Sequence, residues 1–309
     1  MQQNRVKAAL QNGQAVSGPI VNEARSVGTV KMMALAGHDF LFFDMEHALF
    51  DWETILNLVQ VSLVCDITPL VRVTDLQYPL VARALDAGAQ GIIIPRVETR
   101  QQVEDAVSFA KYPPLGRRGA GGDGRYGYIR RDAKTAIEQA NAESMVIVQV
   151  ESRKGVDNLD EMAAVPGVDV ILVGPQDLSI SLGVPGQTTR PLFVETVQEI
   201  AGIARKHGVA VGQVEREASA FQRWYEMGIR FFCCNTDGNM LFTAAQRDVA
   251  TLKTLVAKKF GYSSSYTSWM SLAPLSPDVD ESTGDFVSPT TTGIPLTQRT
   301  TSNRRACCP

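Results

Sequence analysis

The sequence predicts a (β/α)8 barrel, and three observations predict it. Short apolar runs alternate with helix-period segments eight times over about 250 residues, the length and rhythm of that fold. The runs are apolar throughout, as in Phe40-Leu-Phe-Phe and Gly91-Ile-Ile-Ile94, so each strand is covered on both faces, as in a parallel sheet flanked by helices. Polar residues gather directly after the runs, where such enzymes keep their chemistry. An open doubly wound sheet shares the alternation, and the pattern alone leaves it as the alternative.

In order, the first pair is a strand at Ala15–Val21 and a helix at Glu23–Leu35. Phe40–Asp44 with Asp51–Leu63, Thr68–Arg72 with Pro79–Leu85, and Gly91–Ile94 with Arg100–Ala110 follow. After a Gly-rich interruption come Met145–Glu151 with Gly155–Ala164, then strands at Asp169–Val173, Val209–Gln213 and Arg230–Cys234. Helices at Pro191–His207, Glu217–Met227 and Met240–Ala257 complete the barrel, read as residues 1–260. From about Tyr262 the chain turns to Ser, Thr and Pro, which bury too little apolar surface to offset ordering entropy. Residues 261–309 are therefore expected to be a disordered tail. Ser-Pro pairs and Cys307-Cys308 in it are weak modification signals, and a plain solvated tail is the better reading.

With 44% hydrophobic and 20% charged residues and a net charge of −3, the chain gives no reason to expect nucleic acid or an anionic membrane as partner. Its five cysteines show no metal spacing and no disulfide framework. No apolar run approaches the ~20 residues of a membrane span, and the start lacks a signal-peptide core, so a cytoplasmic protein is expected.

The stretch Phe-Asp44-Met-Glu46-His47 ends its apolar run in three polar groups. Of the three histidines, His38 precedes a strand and His207 suits a helix C-terminus. His47 reads either as a satisfied structural histidine or as a functional one, and its two acidic neighbours at a strand end favour function. Strand three ends in Arg72 and strand five in Gln149-Val-Glu151. Strand six runs into Gly174-Pro175-Gln176-Asp177, a helix start whose free backbone N–H groups, Pro175 excepted, suit an anionic group. Glu151 and Asp177 are hard oxygen donors that fit Mg²⁺ or Mn²⁺, with Co²⁺ as a third choice, completed by water and substrate. Arg72 either binds a carboxylate or oxyanion or forms a buried ion pair within the barrel. No lysine ends a strand, which argues against Schiff-base chemistry. Gly116–Gly124 lacks the lysine and spacing of a P-loop and reads as a mobile loop.

Together, Phe-Asp-Met-Glu-His, Val-Arg-Val, Ala-Leu-Asp-Ala-Gly-Ala-Gln-Gly-Ile-Ile-Ile-Pro, Tyr-Pro-Pro-Leu-Gly-Arg-Arg-Gly, Gln-Val-Glu-Ser and Gly-Pro-Gln-Asp-Leu-Ser resemble the metal-dependent pyruvate aldolases of the HpcH/HpaI type across Ala15 to Ala257. The resemblance implies a carbon–carbon lyase joining a 2-oxo acid to an aldehyde through the enolate of pyruvate. Glu151 and Asp177 would hold the metal, Arg72 would face the keto oxygen, and His47 would serve as base. Asp44 is expected among the catalytic residues with His47 and Arg72, Gln149 and the Gly174-Pro175-Gln176 turn are expected to bind substrate together with Arg72, and a homo-hexamer is implied. The resemblance also makes Asp86 the carboxylate that orients the histidine. Asp86 ends the third helix, at the opposite end of its own barrel, so any His47 it reaches belongs to another subunit. The chain departs from the family pattern at Gln176, at the Ile20-Val21-Asn22 strand end and in the Gly-rich segment, which bears on the substrate more than on the chemistry. Two other readings stand beside this one: an oxaloacetate-decarboxylating enzyme like macrophomate synthase, and a non-catalytic barrel.

Overall fold

The computed structural model of the protein describes residues 2–121 and 132–260, with 256–260 by backbone alone. The end of the Gly-rich loop and the expected tail lie outside the described residues. Eight parallel strands close in chain order: β1 (Val16–Val21), β2 (Phe40–Asp44), β3 (Thr68–Arg72), β4 (Gly91–Ile94), β5 (Met145–Val150), β6 (Val170–Val173), β7 (Ala210–Glu215) and β8 (Phe231–Thr236). Because β8 returns to pair with β1, the fold is a closed barrel and not the open sheet.

Strand parity sorts the apolar residues into two layers. Val16, Phe40, Phe42, Leu70, Ile147 and Leu172 fill the barrel interior, while Leu41, Phe43, Val71, Ile92, Val146 and Ile171 pack outward against the helices. Phe40 stacks on Phe231 with ring centroids 4.3 Å apart. Gly18 on β1, the strand between them, permits this, since a Cβ there would lie 2.1 Å from the Phe40 carbonyl oxygen. Carried to the strand ends, the inward parity of Phe42, Leu70 and Ile147 turns Asp44, Arg72, Gln149 and Glu151 toward one mouth.

The helices fall close to their expected places, with instructive exceptions. α1 (Arg5–Gln11) was not anticipated, because a seven-residue helix with one buried residue, Val6, shows no period. Asn4 caps it and donates to the carbonyls of Gln90 (3.0 Å) and Glu143 (2.9 Å), and Val6 enters the interior cluster. α2 (Val27–Leu35) begins later than Glu23, because the N–H groups of Asn22, Glu23 and Ala24 are taken by the Asp237 carboxylate, and Ser26 caps the helix instead. α3 (Trp52–Val64), α4 (Tyr78–Asp86) and α5 (Arg100–Ala110) match the sequence pattern. α6 (Ala133–Glu143) is an addition within the Gly-rich interruption, with Ala136 and Ala140 as its buried residues.

The single helix expected after β5 is two, α7 (Arg153–Asp157) and α8 (Leu159–Ala163), divided at Asn158, whose amide donates to the Glu98 carbonyl at 2.8 Å. α9 (Pro175–Ser181) and α10 (Pro191–Lys206) follow. His207 caps α10 and pairs with Asp160 at 2.9 Å, as a C-terminal histidine should. After β7 a 3₁₀ turn, Ala218–Ala220, precedes the short α11 (Phe221–Glu226). The last helix, α12 (Asp237–Phe260), starts earlier than expected and leaves Leu241, Phe242, Val249, Leu252 and Leu255 exposed. The chain divides into two units, Met1–Val249 and Ala250–Pro309, the second described only as far as Phe260. Among the described residues, no helix is long and apolar enough to cross a membrane.

Candidate active site

Asp44, the last residue of β2, organises the mouth. Its Oδ1 accepts the N–H groups of Glu46 (2.9 Å) and His47 (3.3 Å), so one carboxylate folds the turn that carries both polar residues. The same carboxylate receives Arg72 as a fork, Nε to Oδ1 at 2.9 Å and Nη2 to Oδ2 at 2.6 Å. Strand register explains the pairing, since Asp44 lies directly opposite Arg72. The ion-pair reading of Arg72 is thus realised, and only Nη1 lies outside the Asp44 fork. That nitrogen lies 3.3 Å from Gln149 Oε1 and 3.2 Å from Glu46 Oε2. Burial alone would lower the Arg72 pKa, but the hydrogen bonds and charge of Asp44, with Glu46 and Glu151 behind it, outweigh burial and hold it above its ordinary value.

Glu151 lies beyond the end of β5 and is 6% exposed. It accepts hydrogen bonds from Gln149 Nε2 and from the Arg96 N–H at 2.7 Å. Burial pushes its carboxyl above the ordinary range; those two bonds oppose the shift, while the negative charges of Asp177 and Glu46 add to it. Gly174 makes room for it: a Cβ there would lie 2.5 Å from Glu151 Oε2. Glu151 feels two other negative charges, and the guanidinium that acts on it, Arg72, is already forked by Asp44. Asp177, exposed in the first turn of α9, is a second oxygen donor near it. Among the described residues no three His, Cys, Asp or Glu side chains group as a metal site. The donors present fit a hard divalent ion taken by two carboxylates and completed by water and substrate.

Pro175 and Gln176 open α9 next to Gly174, with Gln176 exposed. His47 stands at the edge, its side chain 63% exposed and its Nε2 3.8 Å from Glu46 Oε2. Asp86 is not part of this mouth. It ends α4, where Arg118 compensates its charge at 2.8 Å, the compensation that an acidic residue in a last helical turn calls for.

Two residues were missed. Arg96, after β4, has φ 53°, donates its N–H to Glu151 and pairs its guanidinium with Glu46. Its place beyond Gly-Ile-Ile-Ile-Pro was a signal available in the sequence. Asp237, 6% exposed, accepts N–H groups from Asn22 (3.1 Å), Ala24 (2.7 Å) and Gly238 (2.8 Å), closing the β1–β8 seam. Nothing local marks it, because the partners that define the seam, Asn22 and Ala24, lie at the other end of the chain.

The family model described as HpcH/HpaI aldolase/citrate lyase matches residues 23–244. The chain belongs to that family. Among relatives, it is 33% identical over 251 residues to a hydroxypyruvate/pyruvate aldolase of Roseovarius nubinhibens, covering 81% of this chain and 97% of that one. It is 34% identical over 257 residues to a 5-keto-4-deoxy-D-glucarate aldolase of Escherichia coli, with the same coverage. An HpcH/HpaI aldolase from Desulfitobacterium hafniense superimposes with a TM-score of 0.78 at 33% identity, over 80% of this chain and 96% of that one. Macrophomate synthase superimposes with a TM-score of 0.74 over 82% and 90%, and at 24% identity that likeness speaks for the fold. The match runs from just after β1 into α12 and takes in every mouth residue from Asp44 to Asp177.

Proposed function

We propose that this HpcH/HpaI family member is a class II aldolase that forms or cleaves 4-hydroxy-2-oxo acids through the enolate of pyruvate. The observation that carries the reading is Arg72, locked in a fork by Asp44 with Nη1 turned toward Gln149, whose amide in turn donates to the buried Glu151. Glu151 and Asp177 would hold a divalent ion, Mg²⁺ or Mn²⁺ foremost and Co²⁺ third, which supplies Lewis acidity toward the oxygens of a 2-oxo acid.

Arg72 faces the keto oxygen and offsets the charge that grows on it as C3 loses its proton. Its rigidity matters, because a donor already aimed costs no reorganisation when the charge develops. Gln149 orients the same oxygen, and the N–H groups at the start of α9 receive the carboxylate, Pro175 contributing none. His47, directly or through one water, takes the C3 proton, and its exposure leaves room for the aldehyde on the solvent side. New bond formation runs from C3 to the aldehyde carbon, and cleavage is the same sequence reversed.

The barrel as residues 1–260 with a separate tail, the cytoplasmic placement and the homo-hexamer belong to the same reading. The test is proton exchange at C3 of pyruvate in D₂O, followed by cleavage of a panel of 4-hydroxy-2-oxo acids, with Mn²⁺ and with EDTA. Metal-dependent exchange and cleavage are expected. Exchange that survives EDTA would end the metal assignment, and carbon dioxide release from oxaloacetate coupled to product formation would favour the decarboxylating alternative.

A further inference from the structure

Arg96 reaches three neighbouring strand ends at once. Its N–H donates to Glu151 Oε1 at 2.7 Å beyond β5, its Nη2 to the Thr74 carbonyl at 3.0 Å beyond β3, and its Nη1 pairs with Glu46 Oε1 beyond β2. The next residue, Val97, is tied to the Gln149 carbonyl at 3.1 Å, so the backbone on this side is fixed as well. This reach depends on φ 53°, a left-handed conformation that costs a side-chain-bearing residue free energy and gathers at functional sites. Glycine would adopt it freely, yet the chain places an arginine there.

Stability does not account for the choice. The guanidinium is 57% exposed, so its end of the pair with the buried Glu46 side chain is screened by solvent, and Arg72 already supplies Glu46 with a buried cation. Geometry does account for it. The Glu46 side chain is 7% exposed, and its second oxygen lies 3.2 Å from Arg72 Nη1 and 3.8 Å from His47 Nε2, the latter a charge contact beyond hydrogen-bond length. Arg72 is fixed independently by Asp44, whereas His47 has Glu46 as its only ion-pair partner among the described residues.

We propose that Arg96 is a positioning residue that clamps Glu46 and through it sets the place of the His47 imidazole. The inference rests on the aldolase reading to the extent that His47 is the base. It places no demand on the substrate-side contacts of Arg72, Gln149 and Glu151, and the N–H bond to Glu151 is independent of the Arg96 side chain.

The test compares full-length wild type with Arg96→Gly, Arg96→Met and Arg96→Lys, using pyruvate C3 exchange in Mn²⁺ as the rate readout. In the Gly and Met variants kcat should fall roughly ten- to a hundredfold while KM for pyruvate stays within about threefold, since the clamp acts on the base and not on the bound acid. Arg96→Lys should recover part of the rate by keeping a cation on Glu46, and added guanidinium ion should partly rescue Arg96→Gly. The melting temperature of Arg96→Gly should be no lower than that of wild type, because glycine relieves the backbone and retains the N–H. Wild-type kcat in Arg96→Gly, or a loss confined to KM, would overturn the proposal. A crystal structure of Arg96→Gly supplies a readout independent of turnover. Glu46 turned away from its place beside Arg72 and His47 supports the clamp, and Glu46 unmoved overturns it. Wild type that exchanges no protons while Glu46 moves in the variant would sustain the clamp and sink the reaction.

Discussion

Asp44 and Arg72 face each other across β2 and β3 and share two hydrogen bonds, at 2.9 and 2.6 Å, deep in the barrel mouth. The carboxylate that locks this arginine also folds the turn bearing Glu46 and His47. Asp44→Ala should therefore cost about 3–5 kcal/mol of stability, because it leaves a buried guanidinium short of its main counter-charge. Arg72→Lys keeps the charge and loses the fork, so it should lower kcat by about a hundredfold with smaller effects on the unfolding midpoint. Urea unfolding and pyruvate exchange measure the two effects separately, and full turnover in Arg72→Lys would leave the arginine a purely structural role.

Glu151→Gln and Asp177→Asn should each weaken Mn²⁺ binding by about tenfold or more, read by electron paramagnetic resonance of free Mn²⁺ without any turnover. Gln149 and the Arg96 N–H can still hydrogen-bond a glutamine at 151, so the fold should persist. Unchanged Mn²⁺ affinity in both variants would move the metal elsewhere.

Lys111 makes a different test, of pH and stability. The residue is 3% exposed, and its ammonium hydrogen-bonds the carbonyls of Asn141 (2.7 Å) and Ser144 (2.6 Å). Burial first, then the nearby Lys7, lowers its pKa from 10.5 to about 8. The unfolded chain therefore holds more protons between those values, and stability should rise as pH climbs from about 8 toward 10.5, by on the order of 3 kcal/mol. Below pH 8 this contribution is flat. Lys111→Met should flatten the rise, which denaturant midpoints across the range will show; an identical slope in the variant would refute the assignment.

Removing the Asp237 carboxylate leaves the N–H groups of Asn22 and Ala24 without their acceptor. Asp237→Ala should cost about 1–3 kcal/mol and speed amide exchange at residues 22–24 before any other part of the barrel. Uniform exchange throughout the chain would show that the seam is held by something else.

Asp86 lies outside its own chain's mouth, so its proposed work on a histidine requires a neighbouring subunit. Inactive His47→Ala and inactive Asp86→Ala proteins, mixed under subunit exchange, should regain activity through sites with both residues intact. A fully active Asp86→Ala variant would reduce the residue to its pairing with Arg118.

Much of this was present in the order of residues. Apolar runs such as Phe40–Phe43 and Gly91–Ile94 read as strands covered on both faces, and eight of them separated by helix-period segments left a barrel or an open doubly wound sheet, a choice that the pairing of β8 with β1 decided. Parity then carries Asp44, Arg72, Gln149 and Glu151 inward to one mouth, because a strand alternates its side chains whatever surrounds it. Tertiary structure decided what depends on partners distant in sequence. Asp237 set the start of α2 from more than two hundred positions away, and Arg118 took up the charge of Asp86. Arg96 reached Glu46 and Glu151 only because the closed barrel brought the ends of β2, β4 and β5 within one side chain's length and held its backbone left-handed. Local pattern encodes period and polarity; it does not encode which distant carboxylate will meet which donor, since the closure of the chain fixes that distance.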